Sequence, residues 1–183
     1  MNSQKHKNLE VMFDIFDVTR DGFITVEDFE LHADRTCSAL RLEEGSPHWQ
    51  TIHGALQSWW EYLQRDAVAP NGRISNAECV AIMENGLVND PIFLESTVVK
   101  VAGAVFKVLD TDDDNKIGEG EYINVYVASG LTAEIAINAF GKIDTNADGM
   151  IELDEFVAVV REAFTTADPE SPGAWFFGVQ SNG

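Results

Sequence analysis

The segment from 144 to 155, DTNADGMIELDE, constrains this chain more than any other feature. Apolar residues at helical spacing precede it (Ile135, Ala136, Ala139, Phe140, Ile143) and follow it (Phe156, Val159, Val160, Phe164). Side chains with oxygen fall at its first, third, fifth and twelfth positions, Asp144, Asn146, Asp148 and Glu155. Gly149 stands sixth, where a sharp turn needs positive φ. Such a stretch can fold only as two amphipathic helices joined by a tight acid-lined loop. The plan recurs three times. DVTRDGFITVED lies at 17–28, between Leu9, Met12, Phe13, Phe16 and Phe29, Ala33, Cys37, Leu40. AVAPNGRISNAE lies at 67–78, between Ile52, Leu56, Trp60, Leu63 and Cys79, Val80, Met83. DTDDDNKIGEGE lies at 110–121, between Val98, Val101, Val105, Phe106, Leu109 and Tyr122, Val125, Tyr126. An all-α chain of four helix–loop–helix units is expected. The break at NGLVNDP divides it into a pair spanning 1–88 and a pair spanning 89–183.

The spacing of the acids suits one chemistry. Ca²⁺ is a hard cation that takes six to eight oxygens, supplied by a twelve-residue loop from positions 1, 3, 5, 7, 9 and 12. Position 7 gives only its carbonyl, and position 8 is aliphatic because it bridges to the neighbouring loop. The fourth loop meets every demand, with Met150 as carbonyl donor and Glu152 at position 9 binding directly or through water. The third offers Asp110, Asp112, Asp114 and Glu121, with the carbonyl of Lys116; the ammonium of Lys116 is free to point to solvent. Asn115 takes the bend there, and Asn tolerates the left-handed region. The first offers Asp17, Thr19, Asp21 and the carbonyl of Phe23, but closes with Asp28 instead of Glu. Aspartate is one methylene shorter, which moves preference toward six-coordinate Mg²⁺, so this site can hold Mg²⁺ at rest. The second loop reads as blank: Ala67 and Ala69 stand where ligands are needed, and Pro70 stiffens the turn.

Composition narrows the rest. The 183 residues carry 31 Asp and Glu against 12 Lys and Arg, a net charge of −19, which repels nucleic acid and anionic membrane. Cys37 and Cys79 lie among apolar residues in no metal-ligand spacing and are expected reduced and buried. The opening MNSQKHKNLE has no apolar leader core, so the cytoplasm is the expected location. No nucleophile–base motif, phosphate-cradling loop or HExxH is present, so an enzyme is not expected.

Three live loops and a blank second one, in a chain of this length, resemble the sarcoplasmic calcium-binding protein and calerythrin group of four-EF-hand proteins. Relatives of that group include coelenterazine-binding proteins and calcium-triggered photoproteins. FDVTRDGFITVEDFELHA resembles the group's first hand, and DPESPGAWFFG resembles the tail of its bacterial members. The resemblance implies a compact EF-hand fold of two paired lobes with short β bridges between loops. Three Ca²⁺ ions, and a monomer acting as an intracellular Ca²⁺ and Mg²⁺ buffer, follow from it. Two other roles compete. In one, a small hydrophobic ligand sits in a cavity lined by Trp49, Trp59, Trp60, Trp175, His32, His48 and His53. In the other, a calcium sensor acts on a protein partner. VREAFTTADP near the last helix lacks the His, Trp and Tyr of the photoproteins, which speaks against luminescence. Few Met residues speak against a sensor groove. The final aromatics, Trp175, Phe176 and Phe177, are expected to fold back onto the body.

Overall fold

The computed structural model describes residues 3–67, 71–90, 92–128 and 132–176. Eight α-helices carry the fold among the described residues. They are α1 (Gln4–Phe16), α2 (Val26–Ala39), α3 (Pro47–Asp66), α4 (Asn76–Asn89), α5 (Lys100–Leu109), α6 (Glu119–Ala128), α7 (Ala133–Ile143) and α8 (Leu153–Thr165). Side-chain caps explain where several of them begin. Ser3, Ser46, Ser75 and Thr132 each accept from a backbone N–H three residues on, at α1, α3, α4 and α7. Thr25 and Asp28 form a reciprocal capping box at α2. A π-helical turn, Leu94–Val99, runs without a break into α5.

Four short strands join the loops in two pairs: β1 (Phe23–Ile24) with β2 (Ile74–Ser75), and β3 (Lys116–Gly118) with β4 (Met150–Glu152), both antiparallel. The register sets Ile24 opposite Ile74 and Ile117 opposite Ile151. All four are position-8 residues, and all are buried. The expected β bridges therefore form, including the one that involves the second loop.

The apolar faces of both hand pairs meet in one core. Helix α3 packs on α2 and α5, and α1 packs on α4 and α8. Asn8, buried in α1, donates Nδ2–H to the carbonyl of Ala163 in α8 at 2.7 Å and to that of Gly173 at 3.4 Å, and Gln4 donates to its Oδ1. The tail does fold back: a 3₁₀ turn, Pro172–Trp175, lies on α8, Ala174 is buried, and Phe176 meets Phe156 edge-on at 5.8 Å. Phe177 lies outside the described residues. Cys37 and Cys79 are free and buried, as expected. Among the described residues no helix is long and apolar enough to cross a membrane.

Candidate metal centres

One hydrogen-bond plan is repeated in three loops, and it arises from the same few side chains each time. The position-1 aspartates leave their helices at the C-cap and turn both oxygens inward. Asp17, Asp110 and Asp144 accept from the backbone N–H of position 5 through Oδ1, at 3.1, 3.0 and 3.2 Å. They accept from position 6 through Oδ2, each at 2.9 Å. Position 5 accepts from position 7: Asp21 from Phe23, Asp114 from Lys116, Asp148 from Met150, at 2.8–3.0 Å. Asp112 and Asn146 at position 3 accept from position 5 in their loops.

The last acid clasps both ends of its loop. Asp28 accepts from Thr19 N–H and Thr25 N–H, Glu121 from Thr111 and Gly118, and Glu155 from Asn146 and Glu152. Burial raises the pKa of Asp28 and Glu121, but the hydrogen bonds from Thr25 and Thr19, and from Thr111 and Gly118, outweigh it and leave both lowered. Asp28, one methylene short, reaches both ends of its loop as well as the two glutamates do.

The backbone bends twice, not once. Gly22, Asn115 and Gly149 at position 6 have φ of 84°, 62° and 85°, as the sequence predicts. Position 4 is also left-handed, with Arg20 at 58°, Asp113 at 58° and Ala147 at 57°. Sequence reasoning missed this, because none of these three residues signals it. The second loop has Pro70 at position 4, a residue type that does not adopt positive φ; Pro70 lies outside the described residues. That loop keeps two of the features: Gly72 has φ of 68° and Asn71 accepts from Arg73 N–H.

The geometry fits a hard divalent cation. Carboxylate oxygens of Asp110, Asp112 and Asp114 lie within 4.8 Å of one another. Every side-chain donor of the three loops is an oxygen, and no thiol or imidazole takes part, which excludes a soft-metal preference. Two cross-loop ion pairs were not foreseen. The exposed Lys116 side chain is paired: its Nζ meets Oε1 of Glu152, its strand partner, at 2.8 Å. This places the position-9 acid of the fourth loop on a lysine. Arg73, from the second loop, meets Oδ2 of Asp21 at 2.9 Å and stacks over the Phe23 ring at 4.2 Å. The repeated threonines at position 2, Thr111 and Thr145, were the legible signal for the hydroxyl clasp on Glu121 and Glu155.

The residues nominated for a ligand cavity are mostly packing. Trp60 lies against Phe29, Trp59 against Phe16 and Phe164, and Trp49 stacks on His53.

An EF-hand domain pair model matches residues 100–161, a second one 70–129, and an EF hand model 9–31. A sarcoplasmic calcium-binding protein of Perinereis vancaurica tetradentata is 30% identical over 172 residues, 94% of this chain and 95% of that one. Calerythrin of Saccharopolyspora erythraea is 28% identical over 159 residues, 84% of this chain and 88% of that one. The solved structure of the coelenterazine-binding protein from Renilla muelleri, calcium-loaded and without ligand, matches with a TM-score of 0.67 at 25% identity. It covers 98% of this chain and all of its own.

Proposed function

We propose, on the premise that the chain belongs to the sarcoplasmic calcium-binding protein family of EF-hand proteins, that it is a buffer for Ca²⁺ and Mg²⁺ with three working sites. That it is an EF-hand calcium-binding protein follows from the family. The count of sites and the buffering role are our reading. The observation that carries it is the hydrogen-bond plan shared by the first, third and fourth loops, which Ala67 and Ala69 of the second have no side-chain oxygen to make.

Asp17, Thr19, Asp21, Asp28 and the carbonyl of Phe23 would hold the first ion. Asp110, Asp112, Asp114, Glu121 and the carbonyl of Lys116 would hold the second. Asp144, Asn146, Asp148, Glu155 and the carbonyl of Met150 would hold the third. A bound ion supplies two positive charges that relieve repulsion among the clustered acids. The chain's own part is to hold those acids with their backs already hydrogen-bonded, so little ordering remains for binding to bring about. The N-terminal pair (1–88) contributes one site and the C-terminal pair (89–183) two. Buffering is favoured over sensing because one core spans both pairs, with α1 stapled to α8 by Asn8. A sensor opens its helix pairs to expose a groove.

Calorimetric titration with Ca²⁺ in Mg²⁺-free buffer should give three ions per chain. Asp144→Ala should remove one, and Glu78→Ala none. Loss of an ion in Glu78→Ala would show that the second loop binds. Strong calcium-induced binding of a hydrophobic dye would overturn the buffer reading in favour of a sensor.

One observation favours a carrier instead. The indole Nε1–H of Trp59 is buried with no hydrogen-bond partner among the described residues, and an enclosed ligand could accept from it. Titration with coelenterazine, which the name of the Renilla protein gives as its ligand, decides between the readings. The buffer reading expects no saturable binding.

A further inference from the structure

We propose that Arg73, in the loop that binds no ion, sets the affinity of the first loop by acting as a resident cation on Asp21. The inference rests on the reading that the first loop binds a divalent ion.

The geometry is specific. Arg73 is position 7 of the second loop, next to Ile74, whose partner across the β bridge is Ile24. The bridge carries the guanidinium over the Phe23 ring, which holds it 4.2 Å from the ring centre, and its Nη2 reaches Oδ2 of Asp21 at 2.9 Å. The other oxygen of Asp21 already accepts from Phe23 N–H at 3.0 Å. Both oxygens of this ligand are therefore engaged. In the third and fourth loops the matching acids, Asp114 and Asp148, make the same backbone contact, whereas the nearby base, Lys116, is directed to Glu152 at position 9.

Charge counts sharpen the contrast. The first loop brings three ligand carboxylates, Asp17, Asp21 and Asp28, and Arg73 offsets one of them. The third brings four, Asp110, Asp112, Asp114 and Glu121, with no arginine on its position-5 acid among the described contacts. Ligand charge is a main control on loop affinity. An incoming ion must either displace the guanidinium from Oδ2 or bind close beside it. The Arg73 and Asp21 side chains are 44% and 43% exposed, so a water-like dielectric applies. A unit charge about 6 Å from a divalent ion then weakens its binding roughly tenfold. The blank hand thus keeps a function: it holds a cation over its partner's site and keeps that site the weakest of three.

The test is calcium titration of the full chain, the Asp17→Ala variant, Arg73→Gln and Arg73→Lys. Three ions in the parent and two in Asp17→Ala assign the weak step to the first loop. Arg73→Gln should then tighten that step about tenfold and leave the other two unchanged. Arg73→Lys, which gives up the stack on Phe23 but keeps a positive charge beside Asp21, should stay within about threefold of the parent. A purely structural role for Arg73 moves the other way: losing the contact would loosen the loop and weaken binding. Unchanged or weaker binding in Arg73→Gln, or equal tightening in both variants, overturns the proposal and leaves the three-site reading standing. Two ions in both the parent and Arg73→Gln would remove the first loop from the binding sites and the proposal with it.

Discussion

Each position-1 aspartate is a hinge before it is a ligand: one carboxylate ends a helix, holds two backbone N–H groups and turns the chain inward. That economy leaves the strain elsewhere, at position 4. Ala147 sits at φ of 57° with no hydrogen-bonding side chain to support it. The left-handed region costs a non-glycine residue about 1–2 kcal/mol, less the extra backbone entropy that glycine loses on folding. We expect Ala147→Gly to stabilise the chain by about 0.5 kcal/mol, read from the urea midpoint at constant slope. His32 makes a second residue-scale prediction. Its ring packs 4.7 Å from that of Phe16, and burial, with the Arg35 charge adding to it, lowers its pKa to about 4. The unfolded imidazole titrates near 6.5, so between pH 6.5 and 4 the unfolded chain binds more protons. Stability is therefore full above pH 6.5 and is lost as pH falls toward 4, by up to about 3 kcal/mol. Unfolding midpoints across that range should flatten in His32→Leu.

At the scale of elements, the tail is a wedge fitted to α8. A Cβ on Gly173 would overlap the backbone of Glu162 and Ala163, while its N–H donates to Oε2 of Glu162 at 2.9 Å. Backbone cannot step aside as a side chain can. Gly173→Ala should therefore lift the 3₁₀ turn off α8 and destabilise the chain by about 2 kcal/mol. Differential scanning calorimetry would show this as a lower Tm. Asn8→Ala attacks the same junction from α1, leaving buried carbonyls at Ala163 and Gly173 without their donor, at a cost of about 1–3 kcal/mol. The two variants share partners, so their effects should not add.

Over the whole molecule, a net charge of −19 works against a compact state, and divalent ions are its natural remedy. An ion held at a hundred times its Kd adds about 2.7 kcal/mol to folding. Calcium should therefore raise Tm by many degrees, and chelation should undo the gain. Added NaCl should stabilise the chelated protein more than the calcium-loaded one, since the former carries the larger uncompensated charge to screen. Equal salt responses in the two states would show that the loop acids do not govern stability.

The loop positions, their helices and the alanines at ligand positions of the second hand were legible because ligation and helical burial both demand residues at fixed local spacing. Asp144 to Glu155 states its purpose within twelve residues, and Ile24, Ile74, Ile117 and Ile151 announce their bridges. What no local pattern could reveal depends on which loop faces which. Arg73 and Asp21 are 52 residues apart, and Lys116 and Glu152 are 36 apart. Only antiparallel pairing of the loops brings these charges within 3 Å, because strand register, not spacing along the chain, chooses an exposed side chain's neighbour. The sequence alone identified three acid-lined loops; the fold decided that the first would share its Asp21 with an arginine.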